Sequence, residues 1–251
     1  MSTPSLPGTL CHRTLDTLVE RGRLTEVAGP DGQAHLPLTT SAFGEPQAVG
    51  EARVFHGDTI AKAVYVGIVV PQIQMDSHMV FAFMPAASPV PHFTLDSVHA
   101  GGHYAFHLDL IQRVDAGIHM VYNDWAHTPL TAAYEKVQAH DGYSRAALEP
   151  RQLTVMSSWM LAARSTPEAF AELDEPVDSY LDHWFSLVEN EVPTEVLADV
   201  ADTDLAERDA RNRGLLFSPE VDKVWAQITR LLGEEQGEAT RLLLVDNEQP
   251  A

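Results

Sequence analysis

The sequence predicts an α+β fold in which helices pack on a central antiparallel sheet. Two observations predict it: runs of β-branched and aromatic residues crowd residues 51–164, and helix-capping signatures crowd residues 165–251. The strand-like runs stand too close together for crossover helices, so neighbouring strands must pair antiparallel as a meander. With 251 residues, 45% of them hydrophobic, the chain suits one domain over 1–251, in which residues 1–50 form an irregular N-terminal segment.

The first predicted elements are a short helix over residues 14–21 and a turn at residues 29–32, both inside the N-terminal segment. Six strand-like runs follow, each bounded by Pro, Gly, Asn or Asp. They cover residues 52–56, 62–70, 79–84, 92–98, 103–111 and 118–122. Ala100-Gly101-Gly102 predicts a hairpin turn between the fourth and fifth runs, so those two strands should lie side by side.

Helical patterns dominate after residue 122, apart from one further strand predicted over residues 153–162. Residues 130–138 repeat apolar positions near the helical period. Three later helices each begin at a capping residue and end near a helix breaker. They run from Thr166 to about residue 191, from Thr194 to about Arg213, and from Ser218 to Leu232, with Pro193, Gly214 and Gly233 as their respective stops.

The charge and cysteine content exclude several function classes. Sixteen Lys and Arg against thirty-six Asp and Glu leave a formal net charge of -20, which repels nucleic acid and anionic lipid surfaces. Cys11 is the only cysteine, so no disulfide framework can form, and we expect it in a frayed N-terminal segment. The most hydrophobic stretch, residues 63–70, is far too short to cross a bilayer. We therefore expect a cytoplasmic protein that binds neither nucleic acid nor membrane.

The main functional signal is a histidine-rich sheet face. Seven of the twelve histidines fall within residues 78–127. Alternation along residues 103–111 places His103, His107 and Asp109 opposite the apolar side chains. The preceding run behaves in the same way, with a second polar set facing the same side of the sheet. That set is His92, Thr94 and Asp96.

Three interpretations of this face remain open. It is the solvated face of an antiparallel sheet, although such faces usually favour Lys, Glu and Thr. It is a metal site that includes His103, His107 and Asp109, although one straight strand would spread these over roughly 20 Å, so neighbouring strands would have to contribute ligands. Or it is a pocket where Asp96 and nearby imidazoles deliver protons to an organic ligand near neutral pH.

Several motifs, in order between about residues 61 and 244, resemble those of ferredoxin-dependent bilin reductases and red chlorophyll catabolite reductases. The first is the strand pair around Asp96, and the others lie in the later strand and in the C-terminal helices. They are Pro85-x-x-x-Pro89-x-Pro91-His92-Phe93-Thr94-Leu95-Asp96, the strand end Leu108-Asp109-Leu110, residues 156–164, Asp209-Ala210-Arg211-Asn212-Arg213-Gly214, and residues 230–235.

The resemblance implies a three-layer α/β/α sandwich with an open-chain tetrapyrrole held between the sheet and the C-terminal helices. Enzymes of this type carry no bound metal or flavin, and they take single electrons from an electron-transfer protein such as reduced ferredoxin. Because ferredoxins are acidic, a chain of charge -20 would repel one unless a local basic patch dominates. The alternatives are a non-catalytic binding or scaffold protein on the same fold, and a His/Asp metalloenzyme.

The resemblance also implies residue roles. Asp96 matches the proton donor on the sheet, and Asp209 matches the carboxylate on the helical side. Some members carry a catalytic histidine on the strand before the aspartate. Met79 stands at that position here, and His78 lies one residue away from it. The propionate groups of such a ligand need cations, for which arginine is suited. Arg151, Arg164, Arg211 and Arg213 are available, and His92, Thr94, His103, His107 and Trp159 are the other predicted substrate contacts. Trp184 and Trp225 have apolar neighbours at helical spacing and are predicted to be core residues.

Overall fold

The computed structural model describes residues 5–246, which form one antiparallel sheet between two layers of helices. The described strands are β1 (Thr25–Val27), β2 (Leu36–Thr40), β3 (Gln47–His56), β4 (Lys62–Val70), β5 (Met75–Phe83), β6 (His92–Ala100), β7 (His103–Ile111), β8 (Tyr143–Arg145) and β9 (Leu161–Ser165). The described helices are α1 (Leu6–Gly22), α2 (Met120–Ala126), α3 (Thr131–Gln138), α4 (Pro167–Phe170), α5 (Asp174–Glu189), α6 (Thr194–Asp199), α7 (Leu205–Leu216), α8 (Val224–Leu232) and α9 (Glu234–Val245).

The sheet is built on the predicted meander. Its order is β1-β3-β4-β5-β6-β7-β9-β8, with β2 paired to β3, and every pairing is antiparallel. The β6–β7 hairpin turns at Gly101 and Gly102, whose φ angles of 56° and 80° suit glycine. Register places Asp96 of β6 directly between Met79 of β5 and His107 of β7. These three side chains therefore share one face of the sheet.

Two hydrophobic cores, one on each face of the sheet, make the fold a three-layer α/β/α sandwich. Apolar residues of α1 and α5 pack on one face, against β-strand residues such as Val80, Leu95 and Leu108. On the opposite face, residues of α7, α8 and α9 pack on Phe81 and Phe83. The expected α+β sandwich with a central antiparallel sheet is confirmed. Within residues 5–246, no helix combines the length and hydropathy that a bilayer crossing requires.

From residue 5 to residue 50 the chain forms α1, β1, β2 and the start of β3, in contrast to the irregular structure expected for residues 1–50. Ser5 caps α1 by accepting a hydrogen bond from the Gly8 backbone N–H. The helix therefore begins at Leu6, whereas the short helix was predicted to begin at residue 14. Its apolar stripe packs on β5 and β6. Cys11 is consequently buried, with its thiol against the Ser97 hydroxyl at 3.3 Å, and the expectation that it lies in a frayed segment is wrong. Tertiary packing, not propensity, stabilises this helix.

Two of the predicted strands are wrong. Residues 118–122 lead into α2, because β7 already pairs with β6 and β9 and leaves no open neighbour for another strand. Residues 153 and 154 belong to a short 3-10 helix (Gln152–Thr154), residues 155–160 form a loop, and β9 begins only at Leu161. In that loop the Ser157 backbone N–H donates to Asp109 at 3.0 Å and its hydroxyl donates to the same carboxylate. Two hydrogen bonds to the Asp109 side chain thus take the place of the backbone hydrogen bonds of the expected strand.

The late helices are shorter than predicted. The helix expected from Thr194 to Arg213 is split into α6 and α7, since Asp204 caps a new helix by accepting the Glu207 backbone N–H at 2.9 Å. Gly214 lies inside α7 and does not end it. The segment opened by Thr166, whose hydroxyl does cap α4, is likewise divided into α4 and α5. Residues 217–223 form a turn before α8, which Gly233 ends as predicted.

Candidate functional site

A cavity of about 530 Å³ lies between the sheet and the C-terminal helices. Its floor is the face that β5, β6 and β7 share, and its roof is the turn between α7 and α8 together with the loop that precedes β9. The volume is in the range of pockets that bind a small organic ligand. The residues that line the cavity include Met79, Phe81, Asp96, His107, Asp222 and Trp225.

Asp96 and His107 form an acid–base pair on the floor. They sit opposite each other on neighbouring strands, and His107 Nδ1 lies 3.3 Å from Asp96 Oδ2. Their side chains are 34% and 15% exposed, respectively, so the pair reaches the cavity without lying in bulk water. Burial lowers the pKa of His107, but the hydrogen bond and charge of Asp96, helped by Asp109 and Asp222, outweigh it, so the pKa is raised. The pair can hold and exchange a proton near neutral pH.

Three polar atoms of the lining residues have no hydrogen-bond partner among the described residues. They are Asp96 Oδ1, His107 Nε2 and Trp225 Nε1, and each is buried. Buried polar groups are nearly always hydrogen-bonded, because an unpaired one loses its hydration without compensation. These atoms are unpaired polar groups of residues that line the cavity, so a polar ligand that reached them would satisfy one acceptor, one imidazole nitrogen and one N–H donor.

Asp222 supplies a carboxyl group from the roof. It lies in the turn before α8, and its carboxylate accepts the Val224 backbone N–H at 3.0 Å. Burial raises the pKa of Asp222 and outweighs the hydrogen bond from the Val224 N–H, which lowers it. The charges of Asp96, which raises the pKa, and of His107, which lowers it, have smaller effects. The sequence predicted a carboxylate on the helical side at Asp209 and missed Asp222. The capping signature at Ser218 indicated a turn here, but not the direction of its side chains.

Asp209, predicted as the carboxylate on the helical side of the substrate, does not line this cavity and lies instead at a separate, much smaller pocket with His92 and Arg213. It is buried in α7, where it accepts a hydrogen bond from His92 Nε2 at 2.7 Å and lies 3.5 Å from Arg113 and 3.8 Å from Arg213. Burial by itself raises the pKa of Asp209, but His92, Arg113 and Arg213 outweigh it and lower the pKa. The side chain stays ionised and links β6 to the helical layer.

His92 belongs to the same buried cluster and is not exposed to the cavity. Burial, with the positive charge of Arg113, lowers the pKa of His92 to about 3, so the ring is neutral. Its Nε2–H donates to Asp209, and its Nδ1 accepts from the Met84 backbone N–H at 3.0 Å and from Arg113 at 3.2 Å. Arg113, which the sequence did not single out, also donates to the carbonyls of residues 85 and 86.

His78, predicted as a catalytic residue, lies on the opposite face of the sheet from Asp96. Register pairs His78 with Ser97, whereas Met79 pairs with Asp96, and successive strand residues alternate faces. His78 is hydrogen-bonded to the Tyr65 hydroxyl and to Asp76, each at 2.7 Å. The sheet separates it from the cavity.

The remaining predicted contacts also lie outside the cavity lining. Thr94 shares the face of Asp96, but it is fully buried and its hydroxyl has no partner among the described residues. His103 is exposed at the end of the hairpin. Trp159 packs in the core on the other face, where its indole N–H donates to Thr131 at 2.9 Å. Trp225, predicted to be only a core residue, is the tryptophan that reaches the cavity.

None of the four predicted arginines lines the cavity. Arg164 and Arg211 are exposed, and Arg151 is exposed and donates to the Glu220 carbonyl at 2.8 Å. Arg213 is buried over the Phe83 ring, 3.9 Å from its centroid, and donates to backbone carbonyls of the C-terminal segment. These arginines were predicted from ligand chemistry alone, which carries no information on the direction in which each side chain points.

The structure does not assemble the metal set considered for this face. His103 is exposed at the hairpin end, and Asp109 is fully buried and bonded to Ser157. Across residues 5–246, no three His, Cys, Asp or Glu side chains are placed to share one ion. The arrangement on this face is an acid–base one.

Comparison with known proteins yields a structural match without a sequence match. No protein-family model and no curated protein matches the chain. The structure is similar to a crystal structure of phytochromobilin synthase from tomato in complex with biliverdin, with a TM-score of 0.71 and 15% sequence identity, over 96% of this chain and 85% of that one. That enzyme is a ferredoxin-dependent bilin reductase. The resemblance expected from the motifs is therefore confirmed at the level of the fold, and this chain has the fold of a bilin reductase.

Proposed function

We propose that the protein is an oxidoreductase that reduces a linear tetrapyrrole, or a similarly conjugated small molecule, in the cavity above Asp96. The observation that carries this proposal is the Asp96–His107 pair facing Asp222 across one cavity with aromatic walls. The similar tomato enzyme was crystallised with biliverdin, which supports a ligand of this class.

The reaction needs two electrons and two protons for each reduced double bond, and the protein's own side chains supply the protons. A conjugated ligand becomes basic once it accepts an electron, and a carboxylic acid held beside it in a sheltered pocket protonates it. Asp96 serves as the proton donor from the sheet, with His107 as its proton partner. Asp222, whose pKa burial raises, serves as a donor from the roof.

The electrons come from outside the chain, from an electron-transfer protein such as reduced ferredoxin. The ligand itself is the electron acceptor, so no bound flavin or metal is required. The walls of the cavity hold the flat ligand. Phe81 packs edge-on against Phe217, and Phe217 packs edge-on against Trp225. Aromatic side chains of this kind stack on or border a conjugated ring system.

Biliverdin tests the proposal directly. We expect addition of the purified protein to shift and sharpen the visible absorption bands of biliverdin, because the cavity holds one conformation of a flexible chromophore. Under anaerobic conditions, a ferredoxin reducing system should then bleach the bound spectrum with formation of a reduced bilin. Absence of any spectral change across a panel of linear tetrapyrroles would refute the substrate class. Tight binding without reduction by any donor would refute catalysis.

A further inference from the structure

Four of the five ionisable side chains among the described residues that line the cavity are paired with one another. His107 pairs with Asp96 at 3.3 Å, and Lys223 lies 3.6 Å from Glu149. Asp222 adds one more carboxyl group. Among the described lining residues, Lys223 is the single Lys or Arg, and its side chain is 79% exposed. Residues 1–4 and 247–251 contain no Lys or Arg.

The two buried arginines near the roof are committed elsewhere. Arg113 and Arg213 surround Asp209, and both donate to backbone carbonyls. Neither lines the cavity. A ligand carboxylate inside the cavity would therefore lose its hydration, meet an excess of carboxyl groups, and find no arginine to pair with.

The unpaired polar atoms favour a different kind of ligand group. Asp96 Oδ1 and the Trp225 indole N–H have no hydrogen-bond partner among the described residues. The first can accept from an N–H group, and the second can donate to a carbonyl oxygen. Amide-like rings present both groups without a charge.

We infer that the cavity selects a conjugated ligand that brings N–H and C=O groups, but no carboxylate, into contact with the protein. This inference rests on the proposed function and narrows its substrate class. Acidic side chains of a substrate are absent, esterified or left outside in solvent. The competing arrangement places a ligand carboxylate on Lys223 at the rim.

Biliverdin and its dimethyl ester distinguish the two arrangements, because they share the chromophore and differ in the carboxylates. We expect the ester to bind at least as tightly as the free acid, measured by absorbance titration of each ligand. The Lys223→Met variant should leave the ratio of the two dissociation constants unchanged, since this exposed lysine holds no ligand carboxylate.

A second variant tests the repulsion itself. Glu149→Gln removes a carboxylate from the lining, so it should strengthen binding of the free acid about threefold relative to the ester. Glu220→Gln, in the nearby roof turn and outside the lining, is the matched control and should leave the ratio unchanged.

Free-acid binding at least tenfold tighter than ester binding, lost in Lys223→Met, would overturn the inference and leave the proposed function standing. Absence of binding for both ligands would overturn the proposed function and this inference with it. Equal effects of Glu149→Gln and Glu220→Gln on the ratio would also contradict the inference.

Discussion

At the scale of single residues, Asp96 and His107 acquire their chemistry from strand register. Each lies on a strand whose alternation was legible in the sequence, and antiparallel pairing sets them directly opposite each other. The contact is close enough for His107 to donate to the carboxylate while one oxygen of Asp96 stays available. An aspartate without this neighbour, such as an exposed one on a helix, would have no proton partner.

Replacing Asp96 by Asn should stall proton delivery without disturbing the fold. We expect turnover of biliverdin to fall at least about 100-fold, the usual contribution of a general acid, with little change in the dissociation constant. Anaerobic turnover and absorbance titration measure the two quantities. His103→Gln, on the exposed hairpin end, is the control and should leave both unchanged. Undiminished turnover in Asp96→Asn would reject the role of Asp96.

The raised pKa of His107 predicts a pH-dependent contribution to stability. The folded protein holds this proton at higher pH than the unfolded chain, where histidine titrates near about 6.5. The stabilisation is complete below that value and is lost as pH rises through the folded-state pKa. Urea unfolding of wild type and His107→Gln should therefore show a larger difference in unfolding free energy at about pH 6 than at about pH 9. A difference that is constant with pH would contradict the pairing with Asp96.

The Trp225→Phe variant tests the contribution of the indole N–H, because it removes that donor and keeps an aromatic ring at the cavity. The phenyl ring keeps the apolar contacts, so we expect ligand affinity to fall about 5- to 10-fold, the value of one hydrogen bond of about 1 to 1.5 kcal/mol. The free energy of unfolding should lose no hydrogen-bond contribution, because this buried N–H has no partner among the described residues, and should fall only through the smaller ring in the core. Trp159→Phe removes a satisfied indole on the opposite face and should leave ligand affinity unchanged. Unaltered affinity in Trp225→Phe would exclude the N–H from binding.

At the scale of elements, the cluster around Asp209 joins strand β6 to helix α7. His92 lies at the start of β6, and its ring reaches Asp209 on the helix at 2.7 Å. Arg113, which follows β7, lies 3.5 Å from the Asp209 carboxylate and is the third member of the cluster. The connection sets the position of α7 over the sheet, and the roof turn that carries Asp222 follows α7 directly. The cluster therefore positions the cavity without lining it.

Asp209→Asn should act on stability more than on chemistry. The substitution leaves the charges of Arg113 and Arg213 without their buried carboxylate, and breaking such a cluster costs about 3 kcal/mol or more. Urea unfolding measures this loss. Asp204→Ala removes the α7 cap and is the control on the same helix, with an expected loss of about 1 kcal/mol.

Turnover per folded molecule of Asp209→Asn should fall far less than that of Asp96→Asn. Unchanged stability with a loss of turnover of about 100-fold would instead assign Asp209 to the reaction.

At the scale of the whole molecule, the net charge of -20 would oppose the approach of an acidic electron donor of the kind proposed. Two like-charged proteins repel beyond contact, and salt screens that repulsion over a Debye length of about 8 to 10 Å. We expect reduction by an acidic ferredoxin to accelerate as ionic strength rises from about 20 to 200 mM, as measured by the bimolecular rate constant. A neutral small-molecule reductant should show no such dependence. Deceleration with salt would indicate a local basic docking surface.

The sequence by itself determined the order and type of most elements and the polar face of β6 and β7. Strand alternation and hairpin chemistry act between neighbours in sequence, so Asp96 and His107 could be placed on one face without coordinates. The misplacement of His78, by contrast, has a local cause. His78 lies one residue away from the position that the family motif gives to a histidine, and a shift of one residue places a side chain on the opposite face of a strand.

Only the tertiary structure decided which polar groups share a cavity. Asp209 and Asp222 are both carboxylates of the helical layer, yet one is buried against two arginines and the other lines the roof. Their separation depends on where α7 ends and how the following turn packs on the sheet. Both features depend on contacts between segments more than a hundred residues apart in sequence, such as the contact of His92 with Asp209. Local periodicity carries no information about such contacts, because the packing of distant segments sets them.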